Sequence, residues 1–299
     1  MSRSSSFLVP ASTSNLGSGF DTLGMALSLY NEVKVTFEES DRGENQENKA
    51  FFETVGQAFF DLTGKPVEAF SVNVSGSVPR SRGLGSSVTV RAGIFAALNQ
   101  LMGTNLSREA IAREVTMLEG HPDNAVASIF GGLTVAKLKP DSWVLDDFLK
   151  FPVSNELSFV LVSPEMEVKT KDSRSVLPAN LPFKEVVQSL NSLSYFLGAF
   201  LSGDFQRLAK VDLSEHIHQP YRLNAIPGGK EALVAAKNSG AWGTWLSGSG
   251  SSLVAMVSEE RQEQVKLAME QIFEDRSIPA ISFLVKADNE GMRAIDCSG

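Results

Sequence analysis

The sequence predicts an α+β protein made of two domains. The chain has 299 residues, about twice the usual size of one domain. Stretches with the period of a strand and stretches with the period of a helix occur in both halves, without the strict alternation typical of parallel α/β sheets. Periodicity is lost over residues 139–156, which include Pro140 and Pro152. We therefore expect one domain over residues 1–152 and a second over residues 153–299.

The elements of the first domain follow from apolar spacing and from capping residues. Val33, Val35 and Phe37 alternate with polar residues, which predicts a strand over 31–39. Ser107 is a predicted N-cap, and the helix that it opens ends at Gly120. The other elements predicted here are a helix over 50–64, a strand over 70–75, a helix after residue 87, a short helix opened by "HPDN" (121–124) and a strand over 133–138.

The second domain is predicted to mix helices with a few strands. The predicted strands are 158–164, two around 243–257 and 281–287, and the predicted helices are 183–201, 205–216, 229–238 and 259–273.

Composition and charge limit the class of protein. Hydrophobic residues make up 42% and charged residues 21% of the chain, which is ordinary for a globular protein. The net charge of −8 without a basic stripe argues against a nucleic-acid partner. No apolar stretch approaches the roughly 20 residues of a membrane helix. The one cysteine, Cys297, allows no disulfide framework, so we expect a cytoplasmic protein.

A glycine-rich stretch, "SRGLGSSVTV" (81–90), lies between a predicted strand and a predicted helix. Gly83 and Gly85 can adopt positive φ, and the N–H groups of Gly85, Ser86 and Ser87 open a helix whose positive end favours an anion. No lysine follows, so the Walker pattern is absent, and Val88 replaces the third glycine of the dinucleotide pattern. The stretch predicts a phosphate site, with a turn that merely requires glycine as the alternative.

The end of this loop and a later stretch carry oxygen and nitrogen ligands. The hydroxyls of Ser86 and Ser87 and the carboxylate of Glu119 are groups that Mg²⁺ binds; the alternative for Glu119 is a surface residue at a helix end. The stretch "EGHPDN" (119–124) places ionisable groups at a helix start, where capping by Asp123 and Asn124 is the alternative.

Two stretches distant from each other complete the set. The segment "ASTSNLGSGFDTLGMAL" (11–27) has three glycines before a strand, an ordering cost that suggests a ligand near its backbone. A second glycine cluster, "LSGSGSS" (246–252), joins two predicted strands and has a hairpin turn as its alternative. His216 and His218 have the spacing of ligands on a strand, but the chain has one further histidine and no cysteine near them, so zinc is not indicated.

Six motifs in order resemble the GHMP small-molecule kinases, and among them the homoserine kinases. They are "PASTSNLGSGFD" (10–21), "GLGSS" (83–87), "EGHPDN", "KTKDSR" (169–174) and "HQPYR" (218–222) together with the late "LSGSGSS". The resemblance implies the GHMP two-domain fold, with an N-terminal domain like domain 2 of ribosomal protein S5 and a ferredoxin-like C-terminal domain.

The resemblance also implies an activity: ATP-dependent phosphorylation of the hydroxyl of L-homoserine, in threonine biosynthesis, with Mg²⁺ as cofactor and a homodimer as a compatible assembly. The alternatives are a sister kinase for threonine, pantoate or mevalonate, and a non-catalytic nucleotide-binding protein. The residues implied for ATP are Pro79, Arg82, Gly83, Leu84, Gly85, Ser86, Ser87, Gly248 and Gly250. Ser87 and Glu119 are implied for Mg²⁺.

For the amino acid, the resemblance implies a site with two arginines. Arg174 and Arg222 are expected at the substrate carboxylate, with Thr170 beside them, and Asp21 at the ammonium. Asn15, His121 and Asp123 are expected to line the same site. Asn124 is expected near the reacting hydroxyl, where an amide cannot serve as a strong base, so the hydroxyl proton is expected to pass to the γ-phosphate.

Overall fold

The computed structural model describes residues 3–37, 46–166, 168, 170–211 and 213–295. The first half contains β1 (Arg3–Ser14), β2 (Leu23–Phe37), α1 (Gln46–Thr63), β3 (Phe70–Gly76), α2 (Ser86–Met102), α3 (Arg108–Glu119), α4 (Asp123–Phe130), β4 (Leu133–Leu138) and β5 (Leu145–Phe151).

The second half contains more and shorter elements. These are β6 (Leu157–Pro164), α5 (Thr170–Ser175), α6 (Phe183–Leu201), α7 (Phe205–Ala209), α8 (Gln219–Leu223), α9 (Gly229–Asn238), β7 (Gly243–Leu246), β8 (Leu253–Ser258), α10 (Gln262–Glu274), β9 (Ala280–Val285) and β10 (Arg293–Ile295). A single turn of 3₁₀ helix, Glu259–Arg261, precedes α10. Among the described residues, no helix combines the length and the apolar character needed to cross a membrane.

The first sheet has six strands in the order β10-β1-β2-β4-β5, and β3 also pairs with β2. The long strand β2 allows this arrangement, because residues 31–37 pair with β3 and residues 23–25 pair with β4. Helix α2 packs closely on this sheet: a Cβ on Gly93 would lie 2.5 Å from Cβ of Val33. The close approach fixes the position of the first turn of α2, which begins at Ser86.

The second sheet has the order β7-β8-β6-β9, with every pair antiparallel. Counted along the chain, this is the strand order of a ferredoxin-like domain, as predicted. On one face lie apolar residues of α9 and α10, including Leu233 and Met269. On the other face, Phe159 and Trp245 belong to a core that also contains Leu23 and Met25 of β2. The two sheets therefore share buried apolar surface, and the segments that connect them meet at one cavity.

The structure confirms most predicted elements and corrects several. The Ser107 cap is confirmed, since its Oγ accepts the N–H of Ala110 at 3.2 Å, and Gly120 ends α3 with φ 80°. The predicted helix over 205–216 is wrong beyond Ala209, where α7 ends. Strands β1, β5 and β10 were not predicted, and β5 lies within residues 139–156, where the sequence showed no periodicity. The serines and proline of β1 have poor strand propensity, and β10 has only three residues.

Strand β10 pairs with β1, so the last strand of the second half completes the sheet of the first half. The division at residues 152 and 153 stays a prediction. Cys297 lies outside the described residues.

Candidate active site

A cavity of about 440 Å³ lies where the two halves meet. It is lined by the β1–β2 connection, the loop before α2, the α3–α4 junction, α5, α8 and the turn between β7 and β8. The predicted site residues that line it are Asn15, Asp21, Arg82, Gly83, Gly85, Ser86, Ser87, Glu119, His121, Asp123, Asn124, Arg174, Arg222 and Gly248.

Three predicted residues, Pro79, Leu84 and Gly250, do not line the cavity. Leu84 is fully buried in the core between the halves, so its side chain anchors the loop. The side chain of Thr170 lies outside the described part of the chain.

One end of the cavity, which we call the phosphate end, is formed by residues 83–87. Gly83 and Gly85 have φ 73° and 68°, which confirms the backbone conformation predicted for this loop. A Cβ on Gly83 would collide with the carbonyl oxygen of Ser247, and one on Gly85 would lie 2.5 Å from Oγ of Ser12. Gly85 is the N-cap of α2, which spans 17 residues. The positive end of a long helix therefore faces the cavity.

The second glycine cluster supports this loop from behind. It is a hairpin turn, since β7 and β8 pair antiparallel on either side of it. Oγ of Ser247 donates to the carbonyl oxygen of Gly83 at 2.6 Å, and the N–H of Ser252 donates to that of Arg82 at 3.1 Å. The hairpin thus fixes the backbone of the phosphate end, and Gly248 also lines the cavity.

The two predicted metal ligands contact each other. Oγ of Ser87 donates to Oε2 of Glu119 at 3.1 Å, and the other carboxylate oxygen forms an ion pair with Arg91. Burial lowers the pKa of Arg91 to about 10. Arg91 was not predicted as a site residue, although it lies four residues after Ser87 and is the only charged residue of α2. Its charge in an otherwise uncharged helix was the signal available.

The opposite end of the cavity, which we call the amino-acid end, contains charged side chains. Nη1 and Nη2 of Arg174 donate to the two carboxylate oxygens of Asp21 at 3.0 and 2.7 Å. Burial and the nearby Asp123 raise the pKa of Asp21, and Arg174 opposes this. Asp21 has φ 51°, and its N–H donates to Oδ1 of Asn15 at 3.1 Å. Asn15 therefore holds Asp21 in the orientation that meets Arg174.

The second arginine of this end is buried. Arg222 donates through Nη1 to the carbonyl oxygen of Gly248 at 2.9 Å and through Nε to that of Ser173 at 3.2 Å. Burial lowers its pKa to about 10, so it remains a cation at neutral pH. The guanidinium carbons of Arg222 and Arg174 lie 5.1 and 5.5 Å from the ring centre of Phe20. Phe20, which the sequence motifs did not single out, thus contacts both cations.

His121 and Asp123 form a buried ion pair at the amino-acid end. Nδ1 of His121 lies 2.6 Å from Oδ1 of Asp123, which also accepts the N–H of Asn124 at 2.7 Å. Burial alone would lower the pKa of His121, but the carboxylate of Asp123 outweighs burial and raises it. Burial alone would raise the pKa of Asp123, but the effect of His121 is larger than that of burial. The pKa of Asp123 is therefore lowered. The N-cap of α4 is Pro122 and has no side-chain cap bond, so Asp123 belongs to the first turn of the helix, where it accepts the N–H of Asn124 and pairs with His121.

Asn124 lies between the two ends, and its amide is held by two serines of β1. Oγ of Ser12 donates to Oδ1 of Asn124 at 2.9 Å, and Nδ2 of Asn124 donates to Oγ of Ser14 at 3.0 Å. The same Ser12 lies against Gly85. The orientation of the amide is therefore fixed relative to the phosphate end.

An apolar part of the cavity adjoins the phosphate end and was not predicted as part of the site. It is lined by Phe51 and Phe52 of α1 and by Val74, Val78 and Val90. Phe51 and Phe52 lie in the predicted helix over 50–64, and the sequence carried no sign of the cavity because an apolar ring on a cavity wall repeats with the same period as one in a core.

His218 is buried beneath the amino-acid end. Burial, together with Arg222, lowers its pKa to about 3, and its Nε2 donates to the carbonyl oxygen of Gly17 at 2.9 Å. The ring also stacks on Phe20 with centres 5.1 Å apart. It is a neutral, structural residue beneath the amino-acid end.

Comparisons with known proteins agree with this architecture. The GHMP kinases N terminal domain matches residues 49–132, and the GHMP kinases C terminal domain matches residues 196–275. The chain is 34% identical to a homoserine kinase of Carboxydothermus hydrogenoformans over 97% of this chain and 95% of that protein. It is 36% identical to a homoserine kinase of Moorella thermoacetica over 90% of this chain and 93% of that protein.

Solved structures confirm the predicted GHMP two-domain α+β fold. A homoserine kinase from Cytophaga hutchinsonii superimposes with a TM-score of 0.86 at 24% identity, covering 98% of this chain and 97% of that one. A mevalonate diphosphate decarboxylase from Enterococcus faecalis superimposes with a TM-score of 0.69 at 18% identity, covering 99% of both chains. From the fold and the sequence relatives together, the chain belongs to the homoserine kinase family of the GHMP kinases.

Proposed function

We propose that this protein transfers the γ-phosphoryl group of ATP to the side-chain hydroxyl of L-homoserine, forming O-phospho-L-homoserine and ADP in threonine biosynthesis. One observation carries this proposal: a single cavity joins the N-terminus of α2 to a cluster of two arginines and two aspartates. The first end suits a polyphosphate, and the second suits a small zwitterion. Family membership is in agreement with this activity.

ATP fits the phosphate end without a lysine. The N–H groups at Gly85, Ser86 and Ser87 lie at the start of a 17-residue helix, and no Cβ at residue 85 obstructs them. Arg80 and Arg82 also line the cavity and add positive charge. We assign the apolar part beside Phe51 and Val74 to the adenine, because flat heterocycles favour aromatic and aliphatic walls.

Mg²⁺ fits the hydroxyl and carboxylate oxygens of Ser87 and Glu119, which are 3.1 Å apart and are of the hard type that this ion binds. When bound, the ion supplies positive charge that stabilises the transferring phosphoryl group. Glu119 holds Ser87 through the hydrogen bond described above, so the two side chains form one preformed unit at the phosphate end.

L-Homoserine fits the amino-acid end because its two charges can replace an existing ion pair. Arg174 and Asp21 bind each other in the structure. A zwitterion that inserts between them places its carboxylate on Arg174 and its ammonium on Asp21, so no buried charge loses its partner. Arg222 uses Nε and Nη1 for backbone carbonyls, and we assign Nη2 to the same substrate carboxylate.

The chemistry requires positioning more than a strong base. The hydroxyl oxygen of homoserine attacks the γ-phosphorus, the bond from this phosphorus to the β,γ-bridging oxygen breaks, and the hydroxyl proton passes to an oxygen of the transferred group. Asn124 orients the hydroxyl through its amide, which Ser12 and Ser14 hold. The His121–Asp123 pair keeps the start of α4 in place next to Asn124.

The test is ADP production by the purified protein with L-homoserine, L-threonine, mevalonate and pantoate as acceptors. We expect L-homoserine to give the highest kcat/KM, since mevalonate and pantoate lack the ammonium that Asp21 would bind. A higher kcat/KM for another acceptor would assign the protein to a sister activity. No ADP with any acceptor would favour a non-catalytic nucleotide-binding protein.

Two further proposals concern the whole protein. We propose a homodimer, tested by light scattering of the purified protein. We also propose a cytoplasmic location, tested by fractionation of the native host's cells.

A further inference from the structure

Arg91 is a cation placed directly behind the proposed metal ligands. Its guanidinium forms an ion pair with Oε1 of Glu119, and the two side chains are only 18% and 8% exposed. The other oxygen of the same carboxylate accepts the hydrogen bond from Ser87. Both oxygens of Glu119 are therefore engaged by groups of the protein itself.

The surroundings keep Arg91 beside Glu119. Its guanidinium carbon lies 4.9 Å from the ring centre of Phe51, a cation–π contact that adds to the ion pair. Its Nε is buried and has no hydrogen-bond partner among the described residues. Within the described part of the chain, Glu119 is the carboxylate with which Arg91 forms an ion pair, so Arg91 is a fixed neighbour of Glu119.

We infer that Arg91 sets the Mg²⁺ requirement of the protein by competing with the metal for the charge of Glu119. This inference rests on the proposed metal site. A carboxylate that is already neutralised by a buried guanidinium attracts a second cation less strongly, because both cations lie close together in a region of low dielectric constant. Without Arg91, the nearly buried carboxylate would lack a counter-ion, and binding a metal would remove that penalty.

Arg91 is thus a positioning residue that acts through Glu119. A hydrogen-bonding partner can also orient a metal-binding carboxylate and so strengthen metal binding. Ser87 already holds Oε2 of Glu119, so the carboxylate keeps an orienting partner when Arg91 is removed. The effect of charge therefore dominates, and we expect the protein to bind Mg²⁺ more tightly when Arg91 is removed.

The experiment uses Arg91→Met, which keeps much of the length of the side chain and removes its charge. Binding of β,γ-methylene-ATP is measured by calorimetry over a series of free Mg²⁺ concentrations. We expect the Mg²⁺ concentration that gives half of the maximal gain in nucleotide affinity to fall about tenfold, the scale of one charge-assisted bond to the carboxylate. An unchanged or higher midpoint would overturn the inference.

Three further variants separate the inference from the metal site itself. Arg91→Lys retains the charge, so its midpoint should stay near that of the parent. Arg113→Met removes an exposed cation from the neighbouring helix α3 and should change nothing. In Glu119→Gln the midpoint should rise, and adding Arg91→Met to it should have no further effect. If Glu119→Gln binds Mg²⁺ like the parent, the proposed metal site fails; if only Arg91→Met has no effect, the inference alone fails.

Should Arg91→Met unfold, its thermal melting curve will show it, and Arg91→Gln provides a second neutral variant for the same titration. The same lower midpoint is expected, and a parental midpoint in folded Arg91→Gln contradicts the inference.

Discussion

The two ends of the cavity are built in different ways. The phosphate end consists mainly of backbone: five consecutive residues, 83–87, provide the turn, the N-cap and the first N–H groups of α2. The amino-acid end consists of side chains from separate segments, with Asp21 after β1, His121 before α4, Arg174 in α5 and Arg222 in α8. One end is a local feature of the chain, whereas the other exists only when the fold brings distant segments together.

This difference determines how each end can be damaged. A backbone site tolerates changes of side chain and fails when a Cβ blocks the N–H groups. In a site made of side chains, each substitution of a charged residue removes the binding free energy of about one charge-assisted hydrogen bond. Variants of the two ends should therefore differ in the size of their effects, with the backbone variant the most severe.

The greatest loss is expected for Gly85→Ala. A Cβ at this position would lie 2.5 Å from Oγ of Ser12 and 3.2 Å from Oδ1 of Asn124. The loop of residues 83–87 must therefore shift away from its place at the N-terminus of α2. We expect ATP affinity to fall by at least about a hundredfold, corresponding to roughly 2.7 kcal/mol or more. Calorimetry with an ATP analogue measures this directly.

The matched control is Gly103→Ala at the other end of the same helix. Gly103 has φ 59°, close to the 68° of Gly85, but a Cβ on Gly103 would meet no atom within 4 Å. Both variants carry the strain of a left-handed conformation, about 1–2 kcal/mol. They differ in that the new Cβ collides with neighbouring atoms at residue 85 but not at residue 103. Equal ATP affinity in the two variants would contradict a backbone phosphate site.

The next largest effects are expected for Arg174→Met and Arg222→Met. A charge-assisted hydrogen bond contributes about 1.5–3 kcal/mol, so each variant should lose about tenfold to a hundredfold in kcat/KM for L-homoserine. The KM for ATP should change little. Arg207→Met, which removes an exposed arginine paired with Asp204, serves as the control and should behave like the parent.

The arginine variants should also lose discrimination against 4-amino-1-butanol, which lacks the carboxylate. A site that holds an unpaired guanidinium rejects such an analogue, and a site without it does not. If the KM for ATP rises as much as the KM for L-homoserine, the arginines serve the nucleotide and the amino-acid end is wrongly assigned.

A smaller effect is expected for Glu119→Gln in steady-state kinetics. A neutral amide is a weaker ligand for Mg²⁺ than a carboxylate, and the side chain can still accept the hydrogen bond from Ser87. We expect the Mg²⁺ concentration for half-maximal velocity to rise about tenfold, the low end of the loss in metal affinity that changes around a metal site cause. A titration curve identical to that of the parent would leave Glu119 as a partner of Arg91 only.

The smallest effect concerns the pKa of His121. Because Asp123 raises it above the usual 6.5, the pair stabilises the fold fully below pH 6.5, and this contribution is lost as pH rises through the raised pKa. In Asp123→Asn, burial dominates and the pKa should fall below 6.5. NMR titration of the imidazole resonances measures both values, with His218 as a reference that stays neutral near pH 7.

A pKa of His121 that does not change in Asp123→Asn would contradict the charged pair. It would then follow that the imidazole and the carboxylate share a neutral hydrogen bond, and the α3–α4 junction would owe its geometry to capping alone.

Sequence reasoning succeeded where the physical signal is local. The glycines of 83–85, the Ser107 cap and the turn at Gly120 are each set by a few neighbouring residues, and the structure has them as predicted. Strands β1 and β10 were missed because their pairing depends on partners far along the chain: Ser6 pairs with Lys34 on one side and Ile295 on the other.

The site shows the same limit. Family resemblance indicated Asp21, Arg174 and Arg222 as site residues, but no local pattern shows that Arg174 and Asp21 bind each other. The cavity wall at Phe51 was missed for a related reason, whereas Arg91 did carry a signal in its charge within an otherwise uncharged helix. On a helix, a residue that contacts the core and one that lines a cavity repeat with the same period, so only the packed structure separates them.

The central claim is that one cavity holds ATP at the backbone end and L-homoserine at the side-chain end. The most direct measurement is a crystal structure of the protein with β,γ-methylene-ATP and L-homoserine. We expect phosphate oxygens on the N–H groups of residues 85–87, and the amino acid's carboxylate on Arg174 and Arg222 with its hydroxyl directed at the γ-phosphate. A nucleotide bound away from the start of α2, or a carboxylate that contacts neither arginine, would contradict it.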